Sequence, residues 1–214
     1  MTTRREHADK LKGLYVITDE NLINEENFEH SVEAALLGGA SIIQYRDKST
    51  NQTKRLYQAK TLFRLCEQHQ AICIINDDIQ LAKTIGAHGV HLGKNDDSIS
   101  KAREILGDET IIGISCYDDI SLAKTAENNL ADYVAFGAIF SSPTKQKAKV
   151  AGPEILSTAK QKLMLPVCAI GGITQDNINQ VLQHDADMAA VISHVFATEN
   201  IQQSTRMLNR HFLA

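Results

Sequence analysis

At 214 residues, 43% of them hydrophobic, the chain is long enough to bury one full core and too short for two comfortable domains. Twenty-two Lys and Arg against 26 Asp and Glu give a formal net charge of −4, which argues against a nucleic-acid partner held by a strongly basic face. No stretch approaches the roughly 20 apolar residues of a membrane span, and the polar start MTTRREHADKLK lacks the apolar core of a secretory signal, so the expected location is the cytoplasm with no membrane partner.

Residues 1–12 read as an N-terminal extension. Short apolar runs rich in β-branched residues then recur in chain order: LYVIT (14–18), SIIQY (41–45), AICII (71–75), GVHL (89–92), TIIGIS (110–115), DYVAFG (132–137), LPVCAIG (165–171) and MAAVIS (188–193). Their starts are about 25 residues apart, the period of a buried parallel strand followed by one crossover helix. The segments between them carry helical spacing. Phe28, Val32, Ala35 and Leu36 form one stripe before the stop at Gly38-Gly39, and Ile99, Ala102, Ile105 and Leu106 form another before Gly107. Cys66, Cys73, Cys116 and Cys168 have no CxxC spacing and read as reduced packing residues. Eight such units predict an α/β fold, a single-domain (β/α)8 TIM barrel over residues 1–214. A doubly wound open sheet is the competitor, although no strand is followed by the GxGxxG turn of its dinucleotide-binding version.

In a barrel, the polar residues at the carboxyl ends of the strands converge on one mouth. Those ends carry Gln44, Arg46 and Lys48, then Asn76 and Asp77, then Lys94 to Asp97, then Ser115. Ser142, Thr144 and Lys145 follow the sixth strand, Gly171-Gly172 the seventh and Ile192-Ser193 the eighth. Cations, carboxylates and small hydroxyl or glycine positions suit a polyanion held partly by side chains and partly by a divalent metal. Oxygen donors without a cysteine or histidine cluster favour a hard cation, Mg2+.

Plainer roles compete at single positions. Asp77-Asp78 and Asp96-Asp97 have the character of helix caps, and Arg46 and Lys48 of solvated loop charges. His91 lacks spaced nitrogen partners and reads as a packed or hydrogen-bonded residue near its strand end. Gly172 offers bare backbone before a helix and Ser193 holds the partner position after the next strand, where barrels often bind a single phosphate.

Taken together, LYVITD (14–19), GGASIIQYRDK (38–48), IINDDIQLAKTIGAHGVHLG (74–93), GISCYD (113–118), DYVAFGAIFSSPTK (132–145) and AIGGIT (169–174) resemble the thiamine phosphate synthase family over residues 13–196. That family joins 4-amino-5-hydroxymethyl-2-methylpyrimidine diphosphate to a thiazole phosphate, releasing pyrophosphate. The resemblance implies that Gln44, Tyr45, Arg46, Asp47 and Lys48 form the pyrimidine diphosphate segment with Asn76, and that Asp77 and Asp96 hold Mg2+. It puts Ser115 and Lys145 around the diphosphate. Ser142, Pro143, Thr144, Gly172, Ile192 and Ser193 fall in its thiazole phosphate segments. Arg46, Lys48, Ser115 and Lys145 are then the groups that assist departure of pyrophosphate in a dissociative reaction, with no protein nucleophile. The thiazole in its carboxylated form is also compatible.

Tyr45 stands where the family usually has Leu, Ser142 where Thr is usual, Cys116-Tyr117 where Thr-His often follows, and Met188 where a Gly commonly opens the last strand. Tyr45 and Cys116-Tyr117 are expected to alter the pocket, and Met188 to crowd its strand. Two other functions stay in view: a thiazole phosphate tautomerase, which needs an acid–base pair and no metal, and a non-catalytic phosphate-binding regulatory barrel. Small-molecule substrates are the expected partners, and a homo-oligomer is left open.

Overall fold

The computed structural model describes residues 9–141 and 149–213. Among them, parallel strands β1 (Gly13–Ile17), β2 (Ile42–Tyr45), β3 (Ile72–Asn76), β4 (Gly89–Leu92), β5 (Ile111–Tyr117), β6 (Tyr133–Phe136), β7 (Val167–Ile170) and β8 (Met188–Val191) pair in sequence order. β8 also pairs with β1, Val16 against Val191, and this contact closes the barrel and excludes the open sheet.

Helices cross between the strands: α1 (Phe28–Leu37), α2 (Gln52–Gln68), α3 (Ile79–Ile85), α4 (Ile99–Leu106), α5 (Ile120–Asn128), α6 (Glu154–Lys162), α7 (Ile178–Gln183), and after β8 the short α8 (Ser193–Phe196) and α9 (Ile201–Asn209). Their ends follow local chemistry. The Asn51, Asp78, Ser98 and Asp119 side chains accept backbone N–H bonds from the first turns of α2, α3, α4 and α5. Gly86 ends α3 in the left-handed conformation. The stripe on α1 is buried as its spacing predicts, whereas on α4 only Ala102 is fully buried and Ile99, Ile105 and Leu106 are partly covered.

Strand alternation splits the apolar residues into two cores. Leu14, Val16, Ile43, Val90, Val134 and Val191 point outward and pack under the helices. Tyr15, Ile42, Ile74, Ile111, Tyr133 and Met188 point inward and fill the barrel. The four cysteines are buried and unbridged, in keeping with a packing role.

Two details depart from expectation. Leu11, assigned to the extension, is buried with the inward-facing cluster, so ordered packing begins before β1. Met188 does not crowd its strand: β8 keeps regular pairing on both sides, with Met188 opposite the side-chain-free Gly13 and the small Cys168. Among the described residues, no helix is long and apolar enough to cross a membrane.

Candidate active site

The segment leaving β2 shows how the barrel sorts its side chains. Gln44 points inward, buried, and its amide nitrogen donates to the Tyr15 hydroxyl at 2.7 Å. Tyr45 points outward, packs edge-on against Phe28 at 5.8 Å between ring centres, and donates to Gln58 Oε1 at 3.1 Å. Arg46 returns to the mouth, where its guanidinium lies 3.5 Å from Asp19 and 3.8 Å from Glu20. Asp47 turns away again, buried in an ion pair with Lys54 at 2.8 Å. Burial raises the Asp47 carboxyl, but hydrogen bonds from Lys54 and Ser49 outweigh it and leave the group below its ordinary value. Lys48 faces the mouth and bonds Asp77.

Within this segment, Gln44, Arg46 and Lys48 direct their side chains to one side and Tyr45 and Asp47 theirs to the other. The side chains of Tyr45 and Asp47 reach the layer between the barrel and α2, where Tyr45 meets Gln58 and Asp47 meets Lys54, and both line a cavity shared with Asp19, Glu20 and Arg46. Two residues escaped the sequence reading. Asp19 and Glu20 follow β1 and brace the loop, with Glu20 Oε1 accepting the Lys48 backbone N–H at 3.1 Å. Their position after a strand was the available signal.

The paired acids after β3 separate by role. Asp78 caps α3, accepting from Leu81 N at 2.9 Å, and pairs with Arg55 at 2.8 Å. That leaves Asp77, held at φ +60°, to face the mouth, where its Oδ2 also accepts from Asn76 Nδ2 at 2.7 Å. After β4, Ser98 caps α4 and Asp97 pairs with Lys101 at 2.7 Å. Asp96 Oδ2 instead accepts the Gly93 N–H at 2.6 Å and lies within hydrogen-bond reach of the Asp77 carboxyl. Burial first, and then Asp77, push the Asp96 carboxyl above its ordinary value; the Gly93 N–H pulls the other way. The mouth thus holds two facing carboxyl groups with Lys48 and Asn76 beside them.

The same mouth receives Ser115 from β5, whose Oγ lies 2.8 Å from His91 Nε2. His91 Nδ1 lies 2.9 Å from the Tyr133 hydroxyl, so the ring is hydrogen-bonded at both nitrogens, as its strand-end position suggested. Burial pulls its pKa down to about 4, leaving the imidazole neutral. β5 shifts register between Ser115 and Tyr117; Cys116 is buried, and Tyr117 is partly exposed with its hydroxyl 3.4 Å from the Lys94 backbone N–H.

Across the mouth, Gly171 and Gly172 follow β7 with φ of +104° and +65°. A Cβ at Gly172 would lie 2.5 Å from the Ser141 carbonyl oxygen, so only glycine lets this loop meet the one after β6. Ile192 caps α8 and Ser193 begins it, directly after the neighbouring strand β8. First-turn N–H groups of a helix lack intrahelical partners, which makes this corner suited to a phosphate. Ser142, Pro143, Thr144 and Lys145 lie outside the described residues.

The chain is similar over most of its length to known proteins. The model of the thiamine monophosphate synthase family matches residues 14–195. The thiamine-phosphate synthase of Nitrosococcus oceani is 47% identical over 205 residues, covering 96% of this chain and 94% of that protein. That of Thioalkalivibrio sulfidiphilus is 45% identical, covering 97% and 98%. The solved thiamine phosphate pyrophosphorylase of Pyrococcus furiosus superposes with a TM-score of 0.87 at 38% identity, covering 96% of each chain.

Proposed function

The chain belongs to the thiamine monophosphate synthase family, and we propose that it is a transferase joining 4-amino-5-hydroxymethyl-2-methylpyrimidine diphosphate to 4-methyl-5-(2-phosphoethyl)thiazole, or its carboxylated form, to give thiamine phosphate and pyrophosphate. The observation that carries this reading is the convergence of Lys48, Asn76, Asp77 and Asp96 at the mouth.

The donor set fits Mg2+. Asp77 and Asp96 bring hard oxygen atoms together. Such a site leaves positions for water and for phosphate oxygens, as this cation prefers. When bound, Mg2+ neutralises charge that grows on the departing diphosphate.

The remaining work falls to the chain. The bond between the pyrimidine methylene carbon and the diphosphate oxygen breaks, its electron pair leaving with pyrophosphate, and the thiazole nitrogen lone pair then bonds the methylene carbon. Arg46, Lys48 and Lys145 stabilise the leaving anion, and Ser115 adds a hydroxyl contact. These contacts accelerate the step because they are stronger when the charge has developed than before. Gly172 and the start of α8 hold the thiazole phosphate, which keeps the nitrogen aimed at the methylene. A cytoplasmic location is part of the same reading.

Incubating the purified protein with both substrates, with and without Mg2+, tests it. Thiamine phosphate and pyrophosphate should form only with the metal, and supplying the thiazole with and without its carboxylate identifies the accepted form. Isomerisation of the thiazole alone, or saturable binding without turnover, overturns the proposal.

A further inference from the structure

Five side chains from five strands form one hydrogen-bonded chain through the barrel interior. It runs from Gln44 on β2 to Tyr15 on β1 at 2.7 Å, to Tyr133 on β6 at 2.9 Å, to His91 on β4 at 2.9 Å, and to Ser115 on β5 at 2.8 Å. Gln44, Tyr15, Tyr133 and His91 are all buried, so no water competes for the inner links. The chain is also built for. Gly113 lies opposite Tyr133 in the barrel register, and a Cβ there would come within 2.0 Å of the phenol ring, so its missing side chain is what admits the tyrosine.

Such a chain has a direction. Each hydroxyl carries one proton, and a neutral imidazole carries one N–H and one bare nitrogen. With the Gln44 amide nitrogen donating to Tyr15, the Tyr15 proton goes to Tyr133, the Tyr133 proton to His91 Nδ1, and the His91 Nε2 proton to Ser115 Oγ. The Ser115 proton then has no inward acceptor and is left for the mouth. The opposite sense either turns the amide round or leaves the buried Tyr15 proton without an acceptor, and it leaves Ser115 able only to accept. We propose that Tyr15, Tyr133 and His91 are positioning residues, which together with the Gln44 amide fix the Ser115 hydroxyl as a hydrogen-bond donor toward an anionic oxygen at the mouth. Resting on the function proposed above, that oxygen belongs to the diphosphate of the pyrimidine substrate, and the Ser115 proton strengthens its contact as negative charge builds there.

Two measurements test this. In protein labelled with 15N histidine at pH 7, the His91 ring, assigned by its loss in His91→Gln, should carry its proton on Nε2 with Nδ1 bare. A proton on Nδ1, or a doubly protonated ring, overturns the proposal, and this readout needs no turnover. If the protein forms no thiamine phosphate, the proposed function fails while the tautomer still decides the chain of bonds. In the second, pyrophosphate release is followed in a double-mutant cycle. Tyr133→Phe should slow kcat roughly tenfold in the parent protein and less than about twofold in the Ser115→Ala background, because neighbours in one network are not additive. The KM for the thiazole phosphate should not move. Equal losses in both backgrounds make Tyr133 a packing residue and refute the role. Should Tyr133→Phe fail to fold, Tyr15→Phe, which cuts the chain one link earlier, runs through the same cycle with the same criteria.

Discussion

Replacing Asp77 by asparagine removes one of the two facing carboxylates with little other disturbance. Asp77 sits at φ +60°, a conformation that asparagine tolerates and alanine does not, so asparagine keeps the loop where alanine adds strain. The lost ion pair joins a Lys48 side chain that is 54% exposed to an Asp77 side chain that is 24% exposed. Such a pair contributes about 0.5 kcal/mol, and relief of the opposition to Asp96 offsets part of that, so the unfolding free energy should change by less than about 1 kcal/mol. The catalytic loss should be far larger. A charge contact realised as the leaving group departs contributes about 3 kcal/mol or more, which predicts a 10²–10³-fold fall in kcat and a higher Mg2+ requirement, roughly as for other preorganised electrostatic contacts. Pyrophosphate release across a Mg2+ titration, run beside urea unfolding of both proteins, measures both quantities. A near-parental rate with unchanged metal dependence refutes the ligand role. A rate loss matched by a loss of several kcal/mol in stability refutes the reasoning that separates chemistry from folding here.

Three further outcomes are expected. Because burial holds His91 at about 4 against 6.5 when unfolded, the unfolded chain binds the extra proton between those values, so stability is present above pH 6.5 and lost on acidification toward pH 4. At 1.36 kcal/mol per unit this contributes about 3 kcal/mol, visible as a steeper acid loss in the parent than in His91→Gln by urea unfolding; parallel curves would contradict it. Gly172→Ala, with its Cβ 2.5 Å from the Ser141 carbonyl oxygen, should displace the phosphate corner and raise the KM for the thiazole phosphate at least about tenfold in initial-rate measurements, and an unchanged KM counts against that corner. Tyr45→Phe should lower stability by about 1 kcal/mol through loss of the Gln58 bond, with kcat and both KM values unchanged; a changed KM for the pyrimidine substrate would return the side chain to the pocket.

The strands were legible because each is a short β-branched run buried on both faces, and the count of eight, about 25 residues apart on average, pointed to the barrel before any contact was known. Closure itself was not, since the bond between β1 and β8 joins residues at opposite ends of the chain. Asp77 and Asp96 could be proposed from sequence, but telling them from Asp78 and Asp97 by residue type alone was impossible: one acid of each pair turns to the mouth and the other serves a helix. The opposite facing of Tyr45 and Asp47 was present in the sequence too, because the alternation of β2 runs on through Lys48. The links among Tyr15, Tyr133 and His91 stayed hidden. They join residues 118 and 42 positions apart, and nothing in a single sequence reports such pairings.

That continued alternation after β2 has a consequence for how the protein can vary. Positions 45 and 47 send their side chains to the helical jacket and 44, 46 and 48 send theirs inside it, so on the function proposed above drift at 45 should retune thermal robustness before it touches turnover. The tyrosine at 45 is accommodated in this way, its ring set against Phe28 and its hydroxyl bonded to Gln58.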